Sequence, residues 1–190
     1  MLFRSRMAAR LAKRARTVLL LVDFINHFRF AGAGRLAPRA VRAARAAAGL
    51  KADLTRRGCT CIYVNDNFGD WRTDFPALVV QSLARSDASG EIAALLQPAA
   101  GDLSILKPRH SAFYGTPLEF LLEELNASTL VIAGIAVDMC VMATAYDAHM
   151  RKFKLRVPAD CVAGFTHAQE RAALAAMART MHADTTPYRG

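Results

Sequence analysis

A chain of 190 residues that is 53% hydrophobic and free of low-complexity tracts is long enough for one three-layer domain, and its composition excludes a disordered or fibrous protein. Its net charge of +9 is no nucleic-acid signature, because six of the nine excess charges (Arg4, Arg6, Arg10, Lys13, Arg14 and Arg16) sit in residues 1–16, which contain no acid. No apolar run approaches the roughly 20 residues of a membrane span, and Cys59, Cys61, Cys140 and Cys161 form no disulfide framework, so a cytoplasmic location is expected.

Residues 1–16 read as a dispensable basic extension and residues 17–190 as a single domain. Residues 17–22 form a buried strand ending on a carboxylate, Asp23. Ligands collect at the carboxyl ends of strands in open α/β sheets, so this acid is well placed for chemistry. Asn26, His27, Phe28 and Phe30 follow in a loop. Gly32-Ala-Gly-Arg-Leu-Ala37 matches the dinucleotide pattern G-x-G-x-x-A in letters. It begins nine residues past Asp23 and runs into Pro38, so no nucleotide site is expected. Residues 41–57 are an Ala- and Arg-rich helix opening near Pro38 and closed by Gly58. Residues 60–64 are the second strand, leading into a polar loop from Asn65 to Trp71. That loop offers Asp66 and Asp70 without a neighbouring His, so no metal and no other cofactor is expected.

Residues 74–98 are helical with a break near Ser89-Gly90. Residues 103–106 are a strand closing on Lys107-Pro108, and residues 111–116 are a loop. Thr116 and Glu119 spell a capping box for a helix from Pro117, apolar along Leu118, Leu121, Leu122 and Leu125. Residues 129–133 are another buried strand. A tight turn follows, with Asp138 as N-cap, and a helix runs from Cys140 to Phe153. Cys140 thus falls in a first helical turn, where the dipole and unpaired N–H groups lower a thiol's pKa; a buried packing residue is the alternative. Residues 153–157 are a fifth strand, Asp160 lies in a loop, a helix spans about 166–181, and the chain end supplies a sixth, degraded strand.

Three strands therefore deliver Asp23, Lys107 and, through a turn, Cys140 to one edge of a parallel sheet. The chemistry is coherent. A carboxylate takes the thiol proton, an ammonium stabilises both anions, and backbone N–H groups at the turn hold an oxyanion.

These segments resemble the isochorismatase-like cysteine hydrolases. The resemblance is carried by Leu-Leu-Leu-Val-Asp23-Phe-Ile-Asn26-His-Phe28, by Lys107-Pro-Arg-His-Ser-Ala-Phe113-Tyr-Gly-Thr116 and by Gly134-Ile-Ala-Val-Asp-Met-Cys140-Val-Met-Ala-Thr144-Ala-Tyr-Asp147-Ala. It covers about residues 17–165. It implies a three-layer α/β/α fold on a six-stranded, mostly parallel doubly wound sheet. It further implies an Asp23-Lys107-Cys140 triad, a cis peptide at Ile135–Ala136, and backbone N–H groups of Ala136 and Cys140 as oxyanion donors.

The Asp-x-His metal ligands of the nicotinamidase branch are missing, and the thiol is kept. The missing ligands argue against nicotinamide and a zinc or iron ion, and the thiol favours hydrolysis of an amide or carbamoyl C–N bond, through a thioester, over vinyl-ether cleavage. The alternatives are an isochorismatase-type vinyl-ether hydrolase and an inactive binding or assembly member. Phe28, Trp71, Phe113 and Tyr114 are candidate substrate contacts, with lids or subunit contacts as the other reading. The expected partners are a small-molecule substrate and further copies of the chain, as a homo-oligomer (dimer or tetramer), but neither nucleic acid nor membrane.

Overall fold

The computed structural model describes residues 17–189; the basic extension of residues 1–16 and the last residue lie outside them. Strands β1 (Thr17–Val22), β2 (Thr60–Asp66), β3 (Leu103–Lys107), β4 (Thr129–Ile135) and β5 (Lys154–Arg156) form a sheet in the order β3-β2-β1-β4-β5, and β6 (Val162–Ala163) pairs with β4. Every pairing is parallel. The helices are α1 (Ala33–Arg56), α2 (Phe75–Leu83), α3 (Ala88–Leu95), α4 (Leu118–Glu124), α5 (Met142–Met150) and α6 (His167–Met181).

Central strand β1 shows how the layers arise. Its side chains alternate between faces. Leu19 and Leu21 pack with Ala43, Ala44 and Ala47 of α1 and with Leu78 and Ile92 of α2 and α3. Val18, Leu20 and Val22 pack with Leu118, Ala145 and Met177 of α4, α5 and α6. Both faces are covered, so the strand can be apolar throughout. Among the described residues, no helix is long and apolar enough to cross a membrane.

Several local expectations are corrected. Helix α1 starts at Ala33, after Gly32, and carries Pro38 inside it, because Leu36 and Ala40 already belong to its buried stripe. The break between α2 and α3 falls at residues 84–87, where Asp87 caps α3 through the Ser89 N–H. Gly90 lies inside α3, and a Cβ there would meet the Arg85 carbonyl oxygen at 1.9 Å, so the position requires glycine. The Thr116–Glu119 capping box does not form. Thr116 Oγ1 donates to the Ala112 carbonyl and accepts from Leu118 N–H, while Glu119 pairs with Arg151 across to α5. The sixth strand is β6, not the chain end, which returns beside β5 through a single bridge of Arg156 and Asp184.

Gly134 is the second-last residue of β4, just ahead of the turn that carries Cys140. Its φ is +147°, and a Cβ would lie 2.1 Å from the Val22 carbonyl oxygen, one residue before Asp23. Gly134→Ala is expected to destabilise the protein by about 3 kcal/mol or more, read as a lowered urea midpoint.

Candidate active site

The sheet order explains why three distant residues meet. Asp23 follows β1, Lys107 ends β3, and β2 lies between those strands, with Asp66 in register with Lys107. Asp23 takes a left-handed backbone conformation (φ 55°), one that Asp tolerates better than most residues. Its N–H donates to the Val64 carbonyl, and its Oδ1 accepts from the Asp66 N–H at 2.7 Å. On the other side of β1, β4 leads through the cis peptide Ile135–Ala136 into a π-helical turn, Val137–Val141, that carries Cys140. The Ala136 carbonyl accepts from the N–H groups of both Met139 and Val141, so Asp138 is already inside the turn and caps nothing.

Lys107 is fully buried. Its Nζ lies 2.8 Å from Asp23 Oδ2, 3.5 Å from Asp66 Oδ2 and 3.6 Å from Cys140 Sγ. Three ammonium hydrogens thus face three partners. The Cys140 thiol also hydrogen-bonds the Asp23 carboxylate, and it lies 3.4 Å from His110 Nδ1. The loop bearing His110 is tied to α5: Ala112 N–H donates to Thr144 Oγ1, whose hydroxyl donates to the Cys140 carbonyl, and Ser111 bonds Asp147. The sequence alone does not single out His110. Nothing in a lone imidazole three residues past Lys107 announces that the loop folds back over the thiol.

The electrostatics differ from expectation in one respect. Burial pushes the Cys140 thiol well above its ordinary pKa, and the Asp23 carboxylate adds to that, outweighing Lys107. The resting group is a protonated thiol, not a thiolate lowered by a helix terminus. Burial likewise raises Asp23 above the usual carboxylate range despite Lys107 beside it. Burial works against the Lys107 charge, yet Asp23, Cys140 and Asp66 more than offset it and hold its pKa above the ordinary value. A carboxylate of raised pKa is a stronger base, which narrows the gap to the thiol it faces.

A cavity of about 470 Å³ opens over this group. Both proposed oxyanion residues, Ala136 and Cys140, line it, as do Asp23 and Asp66. None of the four aromatic candidates does. Phe113 is buried beneath Arg151, whose guanidinium sits 4.7 Å from the ring centre, and it packs against Phe153. Phe28 packs on the α1–α3 side of the core, and Tyr114 and Trp71 project into solvent, Trp71 being 79% exposed. The apolar lining comes instead from Phe30, Leu36, Phe68, Ile135, Met139 and Phe165. Phe30 and Phe68 follow the ends of β1 and β2, a position that signals a cavity rim once the strand order is known.

The metal ligands of the nicotinamidase branch have no counterpart here. At the end of β2, Asp66 is held by Lys107 and the Phe68 N–H, and the next two residues are Asn67 and Phe68. Among the described residues no three His, Cys, Asp or Glu side chains are grouped so as to hold a metal ion. The donor set does not fit, and activity is expected to survive exhaustive chelation. Loss on chelation with recovery on adding zinc, iron or manganese would overturn this.

Known proteins resemble the chain over most of its length. The profile of the Isochorismatase domain matches residues 17–187. An uncharacterized isochorismatase family protein of Bacillus subtilis, YaaI, is 34% identical over 173 residues, covering 91% of this chain and 94% of its own. The maleamate amidohydrolase of Pseudomonas putida is 30% identical over 152 residues, covering 76% and 70%. The crystal structure of N-carbamoylsarcosine amidase from Thermoplasma acidophilum superposes with a TM-score of 0.72 at 26% identity, over 93% of this chain and 98% of that one. The chain therefore belongs to the isochorismatase family of hydrolases, a family with amide hydrolases among its members.

Proposed function

We propose that the protein hydrolyses the amide or carbamoyl C–N bond of a small molecule through a thioester on Cys140. The observation that carries this reading is the convergence of Asp23, Lys107 and Cys140 under one cavity. Asp23 takes the thiol proton as Sγ attacks the carbonyl carbon. Lys107 stabilises the carboxylate beforehand and the sulfur as charge builds on it. The carbonyl oxygen becomes an oxyanion at the turn, where the N–H groups of Ala136 and Cys140 are the proposed donors. Asp23 then gives its proton to the leaving nitrogen, and the C–N bond breaks to leave the thioester. Water attacks the thioester as Asp23 accepts its proton. The acid departs, the thiol is re-protonated, and the triad returns to its starting state.

The names of relatives supply three carboxylate-bearing members of a panel, maleamate, N-carbamoylsarcosine and ureidoacrylate, and uncharged amides, ureas and carbamates complete it. Ammonia release by the wild type and not by Cys140→Ala supports the reading. Equal release by both enzymes, or cleavage confined to vinyl ethers, removes it.

A further inference from the structure

We infer that the cavity over Cys140 selects uncharged amides with an apolar body and rejects amides that carry a carboxylate; this deepens the amide-hydrolase reading and rests on it. Two observations carry it. The first is the apolar rim. Phe30, Phe68 and Met139 are 41%, 47% and 42% exposed, and all three line this one cavity, with Leu36, Ile135 and Phe165 also in its wall. Large apolar side chains left open to water around a reactive thiol mark a surface that a ligand covers.

The second observation is the charge. No Lys or Arg is among the described residues lining the cavity, and the two ionisable acids that do line it are Asp23 and Asp66. The nearest ammonium, Lys107, is fully buried, with its Nζ shared among Asp23, Asp66 and Cys140. Two carboxylates thus stand against one ammonium already engaged by both. A substrate carboxylate entering here would give up water without gaining a cation and would face like charge. His110 carries positive charge only when protonated, and Asn26 is neutral. Three cations adjoin lining residues in sequence: Arg35 and Arg109, beside Leu36 and His110, are exposed and outside the lining, and Arg29, beside Phe30, lines a neighbouring cavity of about 400 Å³ that shares Asn26, Phe30 and Phe68 with this one.

The test uses charge-matched probes on the full-length protein. Iodoacetamide and iodoacetate alkylate the same sulfur, one neutral and one anionic, and their rate ratio on glutathione sets the intrinsic preference. At Cys140, followed by mass spectrometry of the labelled peptide, the ratio is expected to shift toward iodoacetamide by about tenfold or more. Asp66→Asn should shrink that shift, and Phe68→Arg, at the exposed rim, should reverse it. In turnover, benzamide should exceed 4-carbamoylbenzoate in kcat/KM by a similar factor. A Cys140 ratio equal to that of glutathione, or one favouring iodoacetate, overturns the proposal. So does preferred turnover of 4-carbamoylbenzoate that is lost in Arg29→Ala, because Arg29 would then reach the substrate. If no amide, urea or carbamate of the whole panel is cleaved while the alkylation shift holds, the charge selectivity stands and the amide-hydrolase reading falls.

Discussion

Cys140→Ala should lower amide hydrolysis by at least about 10³-fold and leave the fold in place. The proposed thioester needs a nucleophile, and the other three cysteines are buried elsewhere: Cys59, Cys61 and Cys161 all belong to the core between the sheet and α1–α3. Burial pushes the thiols of Cys61 and Cys161 far up, and neither lines the cavity that Cys140 lines. Removing one sulfur from a site already open to a cavity creates little new void, so the change in stability should be about 1 kcal/mol or less. The Asp23–Lys107 pair at 2.8 Å does not depend on the thiol. Ammonia release measured beside urea unfolding checks both halves. Retention of more than a tenth of the activity would remove Cys140 as the nucleophile.

Much of this architecture was legible because the strands announce themselves. The apolar run 17–22 between a basic stretch and Asp23, and the run 129–135 ahead of Cys140, fit a strand buried on both faces and little else. Strand ends then place Asp23 and Lys107 without any knowledge of packing. What stayed hidden depends on contacts between distant segments. Helix α1 absorbs Pro38 because burying Leu36 outweighs one lost hydrogen bond. Glu119 leaves its capping box for Arg151, a residue more than thirty positions on. The aromatic candidates failed for the same reason. Phe113 looks like a loop aromatic until Thr144 and Asp147 pull that loop onto α5, whereas Phe165, far from any motif, is carried to the cavity after β6. The raised pKa of the thiol is hidden in the same way, because a helix terminus is visible in the sequence and burial beside Asp23 is not.

Separating the structural from the catalytic part of the Asp23–Lys107 pair requires both single variants and the double. Lys107→Met leaves the Asp23 carboxylate, 4% exposed, without its ammonium, and should cost about 3–5 kcal/mol of stability near neutral pH. The sign with pH follows from proton linkage. The Asp23 pKa is already raised in the folded protein, and losing Lys107 raises it further. The folded state then holds that proton more tightly than the unfolded chain, so stability is greatest below the unfolded value of 3.8. It falls as pH rises from there through the folded value. Asp23→Asn/Lys107→Met removes both charges, and should recover a large part of the loss and flatten this pH dependence. Turnover should not recover. An amide at position 23 cannot take the thiol proton, so Asp23→Asn and the double variant should each fall by about 10³-fold or more. The wild type should show the same group kinetically. Its kcat/KM should rise with pH along an acid limb whose midpoint lies above 3.8, as Asp23 and the coupled thiol pass to the competent state. Urea unfolding across pH, paired with ammonia release, reads all of this in one set of proteins. A double variant no more stable than Lys107→Met would show that the lysine stabilises the fold by its packing and not by neutralising Asp23.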